Sequence, residues 1–119
     1  MGLIFLTLGF GQGVQASDII LNDLSGQPVQ ISSYIGQPVV LFLWTTWCPY
    51  CRKELNTLNQ QYPAISQEGI IILVVNVGEP DYKVKKFFKG YQLKLKVLLD
   101  KDSDLADKYD LIGVPTYVF

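Results

Sequence analysis

The sequence contains no histidine and only two cysteines, Cys48 and Cys51. A structural zinc site takes about four cysteine or histidine ligands, so the chain cannot close such a site by itself. Covalent haem attachment requires a histidine directly after the second cysteine, and Arg52 occupies that position. The sequence therefore predicts a protein without a metal or haem cofactor.

The chain also lacks a strong excess of positive or negative charge. The formal net charge is −1, and 18% of the 119 residues are charged while 49% are hydrophobic. This composition is typical of one folded domain and gives no indication of nucleic-acid binding. Charges cluster locally, and we interpret each cluster as a solvated helix face or a cap. The clusters are the lysines Lys83, Lys85, Lys86, Lys89, Lys94 and Lys96 and the acids Asp100, Asp102, Asp104, Asp107 and Asp110.

No lysine or arginine precedes Arg52, so the N-terminal region lacks the positive segment of an ordinary secretory signal. Residues 3–10 are nevertheless apolar, and residues 14–16 offer small side chains at the spacing of signal cleavage. The apolar run is too short to span a bilayer, which takes about 20 residues. We predict that residues 1–16 are a signal-like or anchor segment, either atypical or truncated at its start. Residues 17–119 would then form a periplasmic or other extracytoplasmic domain, with membrane association possible through the N-terminal segment.

Apolar runs and amphipathic stretches alternate along the rest of the chain, which favours an α/β fold with a largely parallel central sheet. The two continuous apolar runs, residues 39–44 and 70–77, predict buried strands of the kind that a parallel sheet covers on both faces. The predicted strands are residues 18–21, 29–31, 39–44, 70–77, 95–99 and the stretch beginning at residue 117. Helical structure is predicted for residues 32–36, for the stretch after the cysteines, and for residues 81–91 and 103–109. Pro63 is expected to kink or end the cysteine helix, and Asp102 to cap the last one.

The two cysteines lie in the segment Trp47-Cys48-Pro49-Tyr50-Cys51, where a buried strand leads into a helix. Unpaired N–H groups at a helix start favour a thiolate over a thiol, and a thiolate is the nucleophile of disulfide exchange. Cys51 falls on the apolar stripe of the helix, so it should be more buried than Cys48. This asymmetry predicts that Cys48 attacks and Cys51 resolves. An inert structural disulfide is the alternative, although so short a loop gains little from cross-linking.

From residue 18 to residue 119 the chain resembles thioredoxin-fold proteins of the TlpA/ResA type, which are exported thiol–disulfide oxidoreductases. The specific part of the likeness is the cysteine motif with the tryptophans that precede it, in the stretch Trp44-Thr45-Thr46-Trp47-Cys48-Pro49-Tyr50-Cys51-Arg52-Lys53-Glu54. The weaker motifs, which occur in the expected order, are Gly26-Gln27-Pro28-Val29, Gly36-Gln37-Pro38-Val39, Asn76-Val77-Gly78-Glu79 and Gly113-Val114-Pro115-Thr116. The resemblance implies a thioredoxin-like fold with an N-terminal β-hairpin and a central sheet flanked by helices. The final strand and helix of that fold would be missing after Phe119.

Site residues also follow from the resemblance. Cys48 and Cys51 match the redox-active pair, and Pro115 matches a cis-proline that lies beside it. Val114 matches the residue whose backbone pairs with the substrate chain as an added strand. The residues around Cys48 are predicted to contact the substrate as well, and they are Trp47, Pro49 and Tyr50.

Glu79 matches a glutamate that ResA-like proteins carry near the active site. A carboxylate close to two thiols disfavours their ionisation, and it could also relay the proton that Cys51 must lose. The alternative is a solvated acid that precedes a helix, where negative charge is favourable in any case.

The activity implied is reduction of protein disulfides, including those of apocytochrome c, with an upstream dithiol as electron donor. A thiol peroxidase is one alternative, since Thr45 stands three residues before Cys48 as in peroxiredoxins, but Leu41 occupies their proline position. A Sco-type copper module is disfavoured because it needs more widely spaced cysteines and a histidine. A non-catalytic interaction domain with an inert disulfide is the last alternative.

Overall fold

The computed structural model describes residues 19–34, 36–109 and 113–118, so the predicted segment 1–16 and Phe119 lie outside the described residues. Six strands and three α-helices are present in this part of the chain. They are β1 (Ile20–Asp23), β2 (Pro28–Gln30), β3 (Val39–Trp44), α1 (Pro49–Gln67), β4 (Ile71–Val77), α2 (Asp81–Phe87), β5 (Lys96–Asp100), α3 (Asp104–Lys108) and β6 (Thr116–Val118). A single 3₁₀ turn, Ile31–Tyr34, connects the first hairpin to β3, where the sequence predicted a helical turn.

The described strands form one sheet in the order β2-β1-β5-β4-β3-β6. The central pairs, β3 with β4 and β4 with β5, are parallel, whereas the β1–β2, β1–β5 and β3–β6 pairs are antiparallel. This arrangement confirms the predicted N-terminal hairpin and the parallel centre. The carboxyl ends of β3 and β4 lie side by side, which brings the segment after Trp44 next to the segment after Val77.

Both faces of the sheet are covered, because alternate residues of the central strands enter two separate hydrophobic clusters. Phe42 and Trp44 of β3 pack with Cys51 and Leu55 of α1 on one face. On this face the indole of Trp44 also contacts the aromatic side chains after Val84, with ring centroids 5.1 Å from Phe87 and 5.4 Å from Phe88. The other face carries a second cluster, which comprises Leu21, Leu41, Leu43, Leu73, Val75, Leu98 and Leu105.

Helix α1 runs without interruption through Pro63 to Gln67, so the predicted end at Pro63 is wrong. A proline in a helix removes the N–H bond to the carbonyl four residues earlier. The loss is tolerated here because Tyr62 and Ile65, on either side of the proline, pack against the cluster that contains Cys51. None of the helices described above is both long and apolar enough to cross a membrane.

Two other predictions of helix boundaries need correction. Helix α2 ends at Phe87 instead of residue 91, and the following turn includes Gly90 with a φ of +88°. Helix α3 begins at Asp104, and the residue at its N-cap is Ser103, not Asp102. The capping acceptor is Asp100, whose carboxylate accepts the N–H groups of Leu105 and Ala106 at 3.1 and 2.9 Å. Asp100 was missed because it lies in strand β5 rather than directly before the helix.

Candidate active site

Cys48 and Cys51 form a disulfide at the start of helix α1. Cys48 is the N-cap residue with extended backbone, and Pro49 follows at the first helical position, where a proline loses no helical hydrogen bond. The N–H of Cys51 donates to the Sγ atom of Cys48 at 3.1 Å, and the N–H of Arg52 donates to the Cys48 carbonyl at 3.1 Å. The sulfur of Cys48 therefore occupies the place of an oxygen acceptor in an ordinary N-cap.

The burial of the two sulfur-bearing residues follows the predicted order. Cys51 is fully buried in the core, and Cys48 is 4% exposed. The difference is small, and both residues are buried in the disulfide form. Trp47, Pro49 and Tyr50 around it are all exposed, Trp47 by 65% and Tyr50 by 76%. The disulfide is thus buried, while two large aromatic side chains next to the cysteines in the sequence are exposed.

The peptide bond between Val114 and Pro115 is cis, as predicted. It lies in the segment before β6, which pairs with β3 beside the cysteine helix. The carbonyl oxygen of Val114 is 3.9 Å from Cys48 Sγ. The structure therefore brings together the predicted residues from two parts of the chain that are 66 residues apart.

Glu79 follows β4 and is buried at the carboxyl edge of the sheet. Its Oε1 atom accepts the backbone N–H of Thr46 and the side-chain amide of Asn76, both at 2.8 Å. Its Oε2 atom accepts the Thr46 hydroxyl at 2.7 Å and lies 3.1 Å from the ammonium of Lys83. Glu79 is therefore joined to the loop that leads into Cys48, and the alternative of a solvated loop acid is wrong.

The contacts of Glu79 determine its protonation. Burial by itself raises the pKa of this carboxyl, but hydrogen bonds from Asn76 and Thr46, together with the Lys83 ammonium, outweigh burial. The net pKa is lowered from the ordinary value of 4.5. Glu79 consequently carries a negative charge at neutral pH.

A cleft of 380 Å³ brings three of the predicted site residues together. Trp47, Glu79 and Val114 line it, together with Thr45 and Ser103. The Thr45 hydroxyl is buried, and within the described residues it has no hydrogen-bond partner.

Sequence reasoning missed three residues that hold Glu79. Thr46 lies within the stretch that carries the family likeness, but nothing in that stretch assigned it a role. Asn76 is a polar residue inside an otherwise apolar strand, and Lys83 stands four residues after Glu79 in the geometry of a helical ion pair. Both could have been found from those patterns. Among the described residues, no cluster of three or more cysteine, histidine or acidic side chains could hold a metal ion.

The sheet order, the disulfide at a helix start and the adjacent cis-proline together define a thioredoxin-like protein. This confirms the predicted fold. Residues 12–118 match the AhpC/TSA family, and the chain belongs to that family.

Relatives and solved structures agree with this assignment. The chain is 36% identical over 104 residues to the thiol-disulfide oxidoreductase ResA of Geobacillus kaustophilus, covering 87% of this chain and 60% of the relative. It is also 36% identical to ResA of Bacillus subtilis, over 88% of this chain and 59% of that protein. The chain therefore spans about 60% of the length of these relatives.

Two crystal structures share the fold. A secreted Mycobacterium tuberculosis disulfide oxidoreductase, homologous to DsbE of E. coli, superimposes with a TM-score of 0.76 at 28% identity. The match covers 88% of this chain and 77% of that one. StoA from Bacillus subtilis gives a TM-score of 0.71 at 28% identity, over 83% and 75% of the two chains.

Proposed function

We propose that this protein is an extracytoplasmic thiol–disulfide oxidoreductase that reduces disulfides in other proteins. The observation that carries the proposal is the position of Cys48 Sγ, which accepts the Cys51 N–H at 3.1 Å and lies 3.9 Å from the Val114 carbonyl. The first contact favours a nucleophilic sulfur, and the second supports a role for the Val114 backbone in binding a substrate strand. The names of the ResA relatives support the same activity.

The reaction starts from the reduced dithiol. The Cys48 thiolate attacks the substrate disulfide, so that a bond forms between Cys48 and one substrate sulfur while the substrate S–S bond breaks. The released substrate thiolate takes up a proton. Cys51 then loses its proton and attacks Cys48 Sγ, which frees the second substrate thiolate and closes the Cys48–Cys51 disulfide. The substrate gains two electrons, and an upstream dithiol returns the protein to its reduced form.

The start of helix α1 supplies the activation of Cys48. In the disulfide the Cys51 N–H already points at Cys48 Sγ, and in the dithiol the same donor would stabilise a thiolate more than a thiol. Cys51 has no comparable position, since it is fully buried within the helix. The attacking and resolving roles are assigned on this difference.

Substrate binding is assigned to the surface around the disulfide. An extended substrate segment would pair with the backbone of Val114, next to Pro115, in the manner of an added strand. Trp47, Pro49 and Tyr50 would contact the side chains on either side of the substrate cysteine. The exposure of the two aromatic residues supports this assignment, because large exposed aromatic side chains are enriched where proteins bind one another.

Glu79 is assigned an electrostatic role. Its negative charge, joined through Thr46 to the loop before Cys48, opposes ionisation of the two thiols and so limits the effect of the helix start. Its lowered pKa supports this role over that of a proton relay, since an efficient general base has a pKa near the operating pH.

The location and the natural substrate are parts of the same proposal. The apolar residues 3–10 and the likeness to a secreted oxidoreductase support a position outside the cytoplasm. The resemblance to ResA-type proteins supports the cysteine pair of apocytochrome c as a substrate. An oxidised peptide with a Cys-x-x-Cys-His segment should then be reduced faster than the same peptide with the histidine replaced by alanine.

Insulin reduction with dithiothreitol as donor tests the activity. The wild-type protein should accelerate precipitation of the insulin B chain, and Cys48→Ser should abolish the acceleration. An uncatalysed rate for the wild type, with the fold intact by circular dichroism, would reject the proposal in favour of an inert disulfide. Redox titration of the Cys48–Cys51 pair against glutathione tests the direction, because a strongly oxidising potential would indicate disulfide formation instead.

A further inference from the structure

A hydrogen bond joins the cysteine helix to the strand that follows the cis-proline. The Tyr117 hydroxyl of β6 donates to Oε2 of Glu54 in α1 at 3.1 Å. Glu54 stands one helical turn after Cys51, and Tyr117 stands two residues after Pro115. Both side chains are half-buried, and a bond to an ionised acceptor is stronger than one between neutral groups.

The strand that carries Tyr117 is short, and its residues Tyr117 and Val118 pack against the two hydrophobic clusters of the sheet. Strand β6 has three residues and lies at the edge of the described sheet, paired with β3. Its last paired residue on the cis-proline side is Thr116, opposite Leu43. Val114 and Pro115 therefore lie beyond the ladder. Val114 packs against the cluster that contains Cys48, and the attachment of β6 to α1 contributes to the distance between Val114 and Cys48.

Tyr117 is suited to hold Val114 at a fixed distance from Cys48. Its ring packs on Phe42 of β3, with centroids 4.9 Å apart, and this contact fixes the direction in which the hydroxyl reaches α1. Burial, followed by the hydrogen bond and charge of Glu54, raises the pKa of Tyr117 to about 12. The hydroxyl accordingly stays protonated and remains a donor throughout the pH range of disulfide exchange.

We propose that Tyr117 is a positioning residue, which through its bond to Glu54 sets the Val114 backbone at the correct distance from Cys48 for a peptide substrate. The inference rests on the proposed disulfide reductase function and adds a determinant of substrate binding to it. A small disulfide without a peptide backbone has no strand to pair with Val114. The bond should therefore affect peptide substrates and leave small disulfides unaffected.

The test compares a labelled peptide that contains one disulfide with bis(2-hydroxyethyl) disulfide, in wild type, Tyr117→Phe and Glu54→Gln. For Tyr117→Phe the KM for the peptide should rise about three- to tenfold, the range produced by the loss of one hydrogen bond. Glu54→Gln, which keeps a neutral acceptor, should give a smaller rise. The rate with the small disulfide and the alkylation rate of Cys48 should stay within about twofold of wild type. The double variant should be no worse than Tyr117→Phe, since both changes remove one interaction.

Tyr62→Phe in α1 and Glu68→Gln at the C-cap of α1 are matched controls, and both should leave the peptide KM unchanged. An unchanged peptide KM in Tyr117→Phe would overturn the inference, and so would an equal loss with the small disulfide, which would indicate a general structural effect. A wild-type protein that alkylates normally but reduces no peptide would instead reject the proposed function itself. Melting temperatures establish that each variant is folded.

Discussion

Thr46 and Glu79 are joined twice, because the carboxylate of Glu79 accepts both the backbone N–H and the hydroxyl of Thr46. The two residues follow neighbouring parallel strands, β3 and β4, and Thr46 stands two residues before Cys48. The pair therefore fixes the loop that leads into the cysteine helix to the end of the central strand. It also places a carboxylate that is negatively charged at neutral pH next to that loop.

Replacing Glu79 by glutamine should change the pH dependence of thiol reactivity. The substitution keeps the shape and one acceptor but removes the charge that opposes thiolate formation. The pH profile of Cys48 alkylation should therefore move to lower pH, by on the order of one unit. Stopped-flow alkylation of the reduced protein between pH 5 and 9 measures the shift. Glu68→Gln, a charge removal at the far end of the helix, should leave the profile in place, and an unmoved profile in Glu79→Gln would reject the electrostatic role.

Glu79 should also make the free energy of unfolding depend on pH in the acid range. The pKa of Glu79 is lower in the folded protein than its ordinary value of 4.5, so the carboxylate contributes stability above that pH. The contribution is lost as the pH falls through the folded pKa. Wild type should accordingly exceed Glu79→Gln in free energy of unfolding at pH 7, and the difference should shrink on acidification to pH 3. Urea unfolding at both pH values measures it, and a difference that grows toward acid pH would contradict the assignment.

Asp100 should stabilise the fold through α3. Its buried carboxylate accepts two N–H groups at the start of that helix, and Asp100→Ala would leave both donors unpaired. The expected loss is about 1–3 kcal/mol in free energy of unfolding. Asp102, which the sequence predicted as the cap, is exposed, and Asp102→Ala should cost less than about 0.5 kcal/mol. Equal losses for the two variants would contradict the capping role of Asp100.

The predictions that proved correct depend on short stretches of the sequence. The cysteine motif, the apolar strand before it and the Gly113-Val114-Pro115-Thr116 segment each lie within a few residues, so their geometry follows from short-range chemistry and from the family resemblance. The contacts that surround the site join distant residues, 33 apart for Thr46 with Glu79 and 63 apart for Glu54 with Tyr117. Such pairs depend on strand order and register, which a single sequence does not specify. The predicted helix end at Pro63 and the predicted cap Asp102 were wrong for the same reason, since core packing and a carboxylate from β5 outweigh the local preference.

Peroxide should be a poor substrate. The proline of the peroxiredoxin pattern is replaced by Leu41, which is buried in β3 and packs in the cluster on the face away from Cys48. We expect the reduced protein to consume hydrogen peroxide no faster than a free thiol at the same pH and concentration. A coupled peroxidase assay checks this, with Cys48→Ser as the control. Rapid consumption that depends on Cys48 would favour the peroxidase alternative.

The most direct test of the account is the alkylation rate of Cys48 at pH 7 in the reduced protein, measured with iodoacetamide and site-specific mass spectrometry. Stabilisation by the helix start predicts a rate on the order of tenfold above that of a cysteine in an unstructured peptide, with Cys51 reacting far more slowly. A Cys48 rate equal to that of the peptide would contradict the central claim, because the sulfur would then be an ordinary thiol.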